Sequence, residues 1–336
     1  MILLRIALAA AMVGVLAVPE RAPFSALKVS AQFRIGEHAD WVAIGTDSVW
    51  VAGTHPFTVQ RIDPRTNAVV DKIVLPGEAC SGLAVGLESV WIPLCGSTDS
   101  LARVDIGTRH LTTLAVGPAG PEGGIAVSED SVWLVSDDVG TLNRIDPGTN
   151  AVRQRVAIPA ASYNPIFSNG RIWITAVKSN TVTAVDAATG ALVKTIAVGP
   201  QPRFVAAGGG AVWTLNQADG SVTRIDEAAL KVVATIRAGI PGRGGDIAYG
   251  ENSIWATVFG TPLTRIDART NEVTRQWTGP GGDSLRLGHG SIWMTDYRRG
   301  LLLRIRLEDA ERTTAPPGNP FASAIIPIWP RLASPS

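Results

Sequence analysis

The sequence is short of most residue patterns that announce a particular chemistry. It has two cysteines and four histidines in 336 residues, and no Cys/His cluster with zinc spacing. It has no Walker-type glycine loop, because Gly208-Gly209-Gly210 precedes a β-type run and reads as a hairpin turn. No Ser, His and Asp fall at positions that suggest a hydrolytic triad. Charge is also sparse: 18% of residues are charged and the net charge is +1. No overall field therefore favours nucleic acid or an anionic membrane as a partner. Beyond the N-terminal segment no stretch keeps an apolar period of 3.6, which excludes all but a little helix.

What the sequence does contain is a repeat. Residues 47–70 hold a Val/Ile-Trp pair that recurs at Trp50, Trp91, Trp133, Trp173, Trp213, Trp255 and Trp293. Successive intervals are 41, 42, 40, 40, 42 and 38 residues. A period near 40 with short β-type runs inside each unit marks a propeller or another repeat array. Each repeat reads as four strands. In the first they are residues 41–45, 48–52, 57–62 and 68–75, separated by Gly, Asp, Pro and Asn. Evenly spaced tryptophans at equivalent positions read as wedge-filling core, not as a stack for sugars or bases.

The third strand carries the most regular motif: Arg61-Ile62-Asp63, Arg103-Val104-Asp105, Arg144-Ile145-Asp146, Ala184-Val185-Asp186, Arg224-Ile225-Asp226 and Arg265-Ile266-Asp267, broken as Arg304-Ile305-Arg306. An aspartate ending a strand can accept N–H bonds from the turn that follows. The arginine, two residues earlier on the same face, can pair with that aspartate or with the next blade.

The last repeat lacks a good fourth strand: residues 311–315 are polar and run into Pro316-Pro317. Residues 28–35 resemble a fourth strand and end at Gly36, as others end at Gly77 and Gly199. They are expected to form the outer strand of the last blade and so close the ring. The fold expected is all-β: a seven-bladed β-propeller of four-stranded antiparallel blades spanning residues 28–315, followed by a proline-rich tail, residues 316–336.

Residues 1–22 stand apart. Arg5 is followed by an apolar run over residues 6–18, the length of a secretory h-region and too short for a comfortable membrane span. Cleavage after Ala17 or after Ala22 fits, and an uncleaved anchor is the alternative. Either way the body of the chain is expected to be periplasmic or secreted, with no membrane span once the signal is removed. In an oxidising compartment Cys80 and Cys95 can form a disulfide. A hairpin centred between Leu87 and Glu88 would set them directly opposite, although two small buried thiols would also suit the spacing.

These motifs, taken together, resemble two bacterial families. The Ser48-Val49-Trp50 type of second strand, the Arg-Ile-Asp third strand and the Ile196-Ala197-Val198-Gly199 type of ending are similar to YVTN-type and virginiamycin B lyase-like propellers. The shared residues are structural. The resemblance implies loops leading into first strands, and loops joining second to third strands, gathered around the mouth of a central channel. For the lyase-like members it implies Mg²⁺, carboxylate neighbours and a histidine base.

Aligned on that expectation, one position per blade faces the channel: Asp40, Ser81, Gly123, Tyr163, Arg203, Gly245 and Asp283. Asp40 and Asp283 come from adjacent blades, with Tyr163 and Arg203 across from them. Neighbouring loops add Glu37, His38, Glu78, Glu122, Arg243 and Asp246, and the second-to-third-strand loops add His55, Asn216, Tyr297 and Arg298. Convergent polar groups at a mouth make the default binding site. The ligand-binding set is Asp40, His38, Tyr163, Arg203, Arg243, Asp283 and Tyr297. Asp40, Asp283 and Glu37 could hold a hard cation, Mg²⁺ or Ca²⁺, through oxygen. No histidine occupies the ring position: His110 and His289 fall in turns at the other end of a blade, leaving His38 or His55 as a stand-in base. The expected role is a non-enzymatic binding scaffold for a small molecule, cell-wall component or envelope protein. The alternative is a metal-dependent lyase or hydrolase.

Overall fold

The computed structural model describes residues 20–96, 100–117 and 122–312. Seven antiparallel sheets follow one another along the chain, each read from an inner to an outer strand. Blade one is His38–Ile44, Val49–Thr54, Thr58–Asp63 and Ala68–Val74. Blade five repeats it as Pro202–Gly208, Ala211–Asn216, Ser221–Asp226 and Lys231–Ile236. Middle strands are buried at every position or nearly so, whereas outer strands such as Ala68–Val74 are largely exposed. That gradient explains why second strands read as continuous apolar runs.

The seven repeat tryptophans are fully buried, each in the middle of its second strand, with Trp277 as an eighth. Each faces the third-strand Arg (Ala184 in blade four) as its cross-strand partner. The Arg103 and Arg224 guanidinium groups lie over the rings of Trp91 and Trp213, each at 4.8 Å. They then reach the next blade's turn: Arg103 donates to Asn150 Oδ1 at 2.8 Å, and Arg224 to Asn271 Oδ1 at 3.0 Å. Arg304 makes the same bond to Asn67 at 2.7 Å across the ring junction. Arg103, Arg224 and Arg304 thus tie blade to blade, whereas Arg61 pairs with Asp47 and Asp71 of its own blade; the motif aspartates serve the turns. Asp63, Asp105, Asp186 and Asp267 each accept a turn N–H at 2.7–2.8 Å, which holds these carboxylates below their ordinary range. In blade four, Arg171 on the neighbouring strand donates to Glu227 O at 3.1 Å and supplies the tie that Ala184 cannot.

Ring closure follows the sequence expectation. Ala31–Arg34 pairs antiparallel with Leu301–Arg306 and completes blade seven. The polar segment after that strand begins with a one-and-a-half-turn helix, Leu307–Arg312, which buries Leu307 and Ala310. Two details differ from expectation. Glu20–Pro23 is a fifth strand, parallel to Glu272–Thr278 on the outer edge of blade six, with Ala22 buried; residues 20–22 therefore belong to the fold. Cys80 and Cys95 form the disulfide, Cα atoms 5.6 Å apart, but not in the expected register. Ala84 pairs with Trp91 as the hairpin requires, yet Glu78 faces Cys95 and Ala79 faces Leu94. The segment between the two pairings leaves the ladder so that buried Ser81 can accept the Gly124 N–H of blade three at 2.6 Å. The slip makes the thiols diagonal neighbours, still within bonding reach. The N-terminal residues 1–19 and the tail, residues 316–336, lie outside the described residues. No helix among the described residues is long and apolar enough to cross a membrane.

Candidate binding site at the channel mouth

The expected ring positions are linked through contacts between neighbouring blades. Asn164 N–H donates to Gly123 O at 2.7 Å, Thr175 Oγ1 donates to Arg203 O at 3.0 Å, and Gly245 N–H donates to Asp283 Oδ1 at 3.0 Å. Between blades seven and one, Val42 N–H donates to Ser284 Oγ at 3.2 Å. These bonds hold the loop backbones and leave selected side chains facing a cleft of about 580 Å³.

One wall of the cleft is acidic. Asp40 and Asp283 lie close enough that each carboxyl shifts the pKa of the other. Burial, then the Asp283 charge, then Glu78 and Asp246, hold the Asp40 carboxyl well above the usual carboxylate range. Burial also lifts Asp283, to about 6, with Asp246 adding to the rise and the Gly245 N–H opposing it. Among the described residues neither carboxyl has a Lys, Arg or His at ion-pair distance. Two desolvated carboxyls without a cation can only lower their cost by keeping a proton. Tyr297 borders the pair, and burial together with the charges of Asp40, Glu78 and Asp283 raises its phenol. The His38 ring lies flat against Tyr297, with centroids 4.5 Å apart, and its Nδ1 is 3.2 Å from Tyr297 O.

The far wall is cationic. Arg203 lies over Tyr163 at 4.7 Å and pairs with Glu122. Burial lowers the Arg203 pKa and raises that of Tyr163. Arg243 lines the same cleft and is exposed.

Other candidates sit elsewhere. Glu37 turns to His55, 3.5 Å away, and both are largely exposed, so Glu37 does not join the carboxyl pair. Among the described residues no group of three His, Cys, Asp or Glu converges as a metal site. Asn216, expected on an upper loop, is buried and bonds Thr214, Ser221 and Thr223 inside its own blade. Asp246 is buried on a strand, where it accepts from Ser284 Oγ at 3.1 Å and pairs with Arg286 of the next blade. Arg298 lies over Phe259 at 5.4 Å. His289 is in a turn, with Nε2 3.1 Å from Gly45 O. The sequence reading missed the apolar part of the lining: Trp41, Phe204 and Phe259. Trp41 and Phe204 each directly follow a ring residue, and that adjacency was the available signal.

No protein-family model and no curated protein matches the sequence. Among solved structures, the streptogramin B lyase structure matches with a TM-score of 0.69 and 15% sequence identity, over 82% of this chain and 97% of that one. The shared feature is the fold, and it agrees with the sheet order above: this chain is a seven-bladed β-propeller built like streptogramin B lyase.

Proposed function

We propose that the protein is a binding scaffold whose channel mouth captures a small, positively charged ligand at Asp40 and Asp283. The observation that carries this reading is the pair of carboxyls, Asp40 and Asp283, lining one cleft with no Lys, Arg or His at ion-pair distance among the described residues. A cation in the cleft would relieve the repulsion between the two carboxylates. Mg²⁺ or Ca²⁺ suits the oxygen donors of the pair, and Glu37 would have to leave His55 to add a third. An organic ammonium suits the same wall and needs no fixed coordination number. Calorimetric titration at pH 7.5 with MgCl₂, CaCl₂ and ethylammonium chloride is expected to give heat with at least one of them. The heat should vanish in the Asp40→Asn, Asp283→Asn double variant. No heat and no change in melting temperature with any of the three would end this reading.

A metal-dependent lyase is the second reading. It is favoured by His38 stacked on Tyr297 beside the carboxyl pair, together with the fold shared with streptogramin B lyase. His38 is the one histidine placed to take a proton near that wall. A streptogramin B antibiotic incubated with the protein and MgCl₂ should then yield a linear product that His38→Ala abolishes. An unchanged antibiotic leaves the scaffold reading alone.

We further propose that the chain is exported and cleaved after Ala17. Of the two cleavage positions that fit, only this one retains Glu20–Pro23, whose Ala22 is buried against blade six. The mature chain would begin at Val18. An intact mass corresponding to a start at Pro23 would sink that assignment.

A further inference from the structure

Beside the mouth lies a second depression, of about 380 Å³, with different chemistry. Phe259 and Tyr297 wall it, the run Gly279-Pro280-Gly281-Gly282 lines one side, and Asp296, Arg298 and Arg299 also border it. Both rings also border the mouth cleft, so the two spaces meet there. The loop is bare for a steric reason. A Cβ on Gly282 would stand 2.3 Å from Thr257 Oγ1 and 2.9 Å from Pro262 Cα. Its φ of +85° is also one that side-chain-bearing residues rarely adopt. The backbone is thus pressed onto blade six and leaves a groove with little polar surface. Asp296, at its edge, is buried and occupied by the Arg299 N–H at 3.2 Å. The glycine loop continues directly into Asp283. Gly281 and Asp283 are two residues apart, so their Cα atoms are separated by at most about 7 Å.

We propose that this groove is an apolar subsite that takes the aromatic ring of a ligand whose ammonium head sits at Asp40 and Asp283. The proposal rests on the cation reading of the mouth and adds the chemistry of the rest of the ligand. Charge complementarity selects the head. The near wall holds Asp40 and Asp283, the charges of Glu78 and Asp246 add to the negative field at Asp40, and Arg286 is committed to Asp246. The two flanking rings select the tail, because aromatic groups gain from offset or edge-on contact as well as from burial. Arg298 lies over the face of Phe259 and also lines the groove.

The test compares phenethylammonium, ethylammonium and 3-phenylpropionate by calorimetry on the intact protein at pH 7.5. Phenethylammonium is expected to bind roughly tenfold more tightly than ethylammonium, from the area its ring buries. The phenylpropionate anion should not bind detectably. Phe259→Ala should remove the advantage of the ring, so that the two amines bind the variant with equal affinity. Equal affinity of the two amines would overturn the subsite while the mouth reading stands. So would a ring advantage that survives in Phe259→Ala. If neither amine binds, the subsite falls even where Mg²⁺ or Ca²⁺ still gives heat.

Discussion

Replacing Phe33 with alanine is expected to cost about 3–5 kcal/mol of unfolding free energy, the usual range for a buried phenylalanine. Phe33 is 8% exposed and packs against Trp293, with ring centroids 6.1 Å apart. It lies on the strand that joins the N-terminal part of the chain to blade seven, opposite Leu302. The neighbouring bonds extend the closure to blade one: Ile35 N–H donates to Gly300 O at 2.9 Å, and Gln60 Nε2 donates to Ile35 O at 2.7 Å. Loosening this strand exposes an edge of blade seven and frees the junction between the first and last blades. Val70, 48% exposed on the outer strand of blade one, is the control, and its alanine variant should stay within about 0.5 kcal/mol of the parent. Urea denaturation of both variants decides the matter. Equal midpoints would mean that the closing strand does not hold the ring.

The second large effect concerns pH. Asp283 titrates at about 6 in the folded protein against 3.8 for an unperturbed aspartate, and Asp40 is displaced in the same direction. Between these values the native state holds protons that the unfolded chain has released. Stability conferred by the protonated pair is therefore lost as pH rises from about 4 through 6. Above that window the pair is a net cost, on the order of 3 kcal/mol for Asp283 alone at about 1.36 kcal/mol per pH unit. Asp283→Asn keeps an oxygen for the Gly245 N–H and removes the charge. At pH 7.5 the variant should be more stable than the parent by roughly 2–3 kcal/mol, and near pH 4 the two should converge. The turn aspartates Asp63, Asp105, Asp186 and Asp267, whose pKa values are lowered, titrate below this window and do not mask it. Urea melts at several pH values measure the difference. A gap between variant and parent that does not change from pH 4 to 7.5 would show that the carboxyls are not thermodynamically linked to folding.

The blade plan was legible because its signals are local. A tryptophan on every second strand, an aspartate at the end of nearly every third and a turn residue behind it specify each unit without reference to its neighbours. Closure by residues 28–35 was legible for the same reason, since that segment carries a fourth-strand pattern with no blade of its own. The Cys80–Cys95 pairing was read correctly as a bond, but its register was not, because Ser81 is drawn out of the ladder by Gly124 of the next blade. Asn216 looked like a mouth residue because it ends a second strand. Whether its side chain faces the channel or its own blade depends on a bonding network with Thr214 and Thr223 that strand position alone does not reveal.

The amino-acid sequence by itself determined the number of blades, their order and the approximate placement of their strands, since each follows from periodicity and turn chemistry within about forty residues. Only the tertiary structure decided which loop side chains share a space. The nearness of Asp40 to Asp283 and the meeting of Phe259 with Tyr297 join different blades. The physical reason is that burial and Coulomb repulsion act through distance in space, and those distances exist only once the ring has closed.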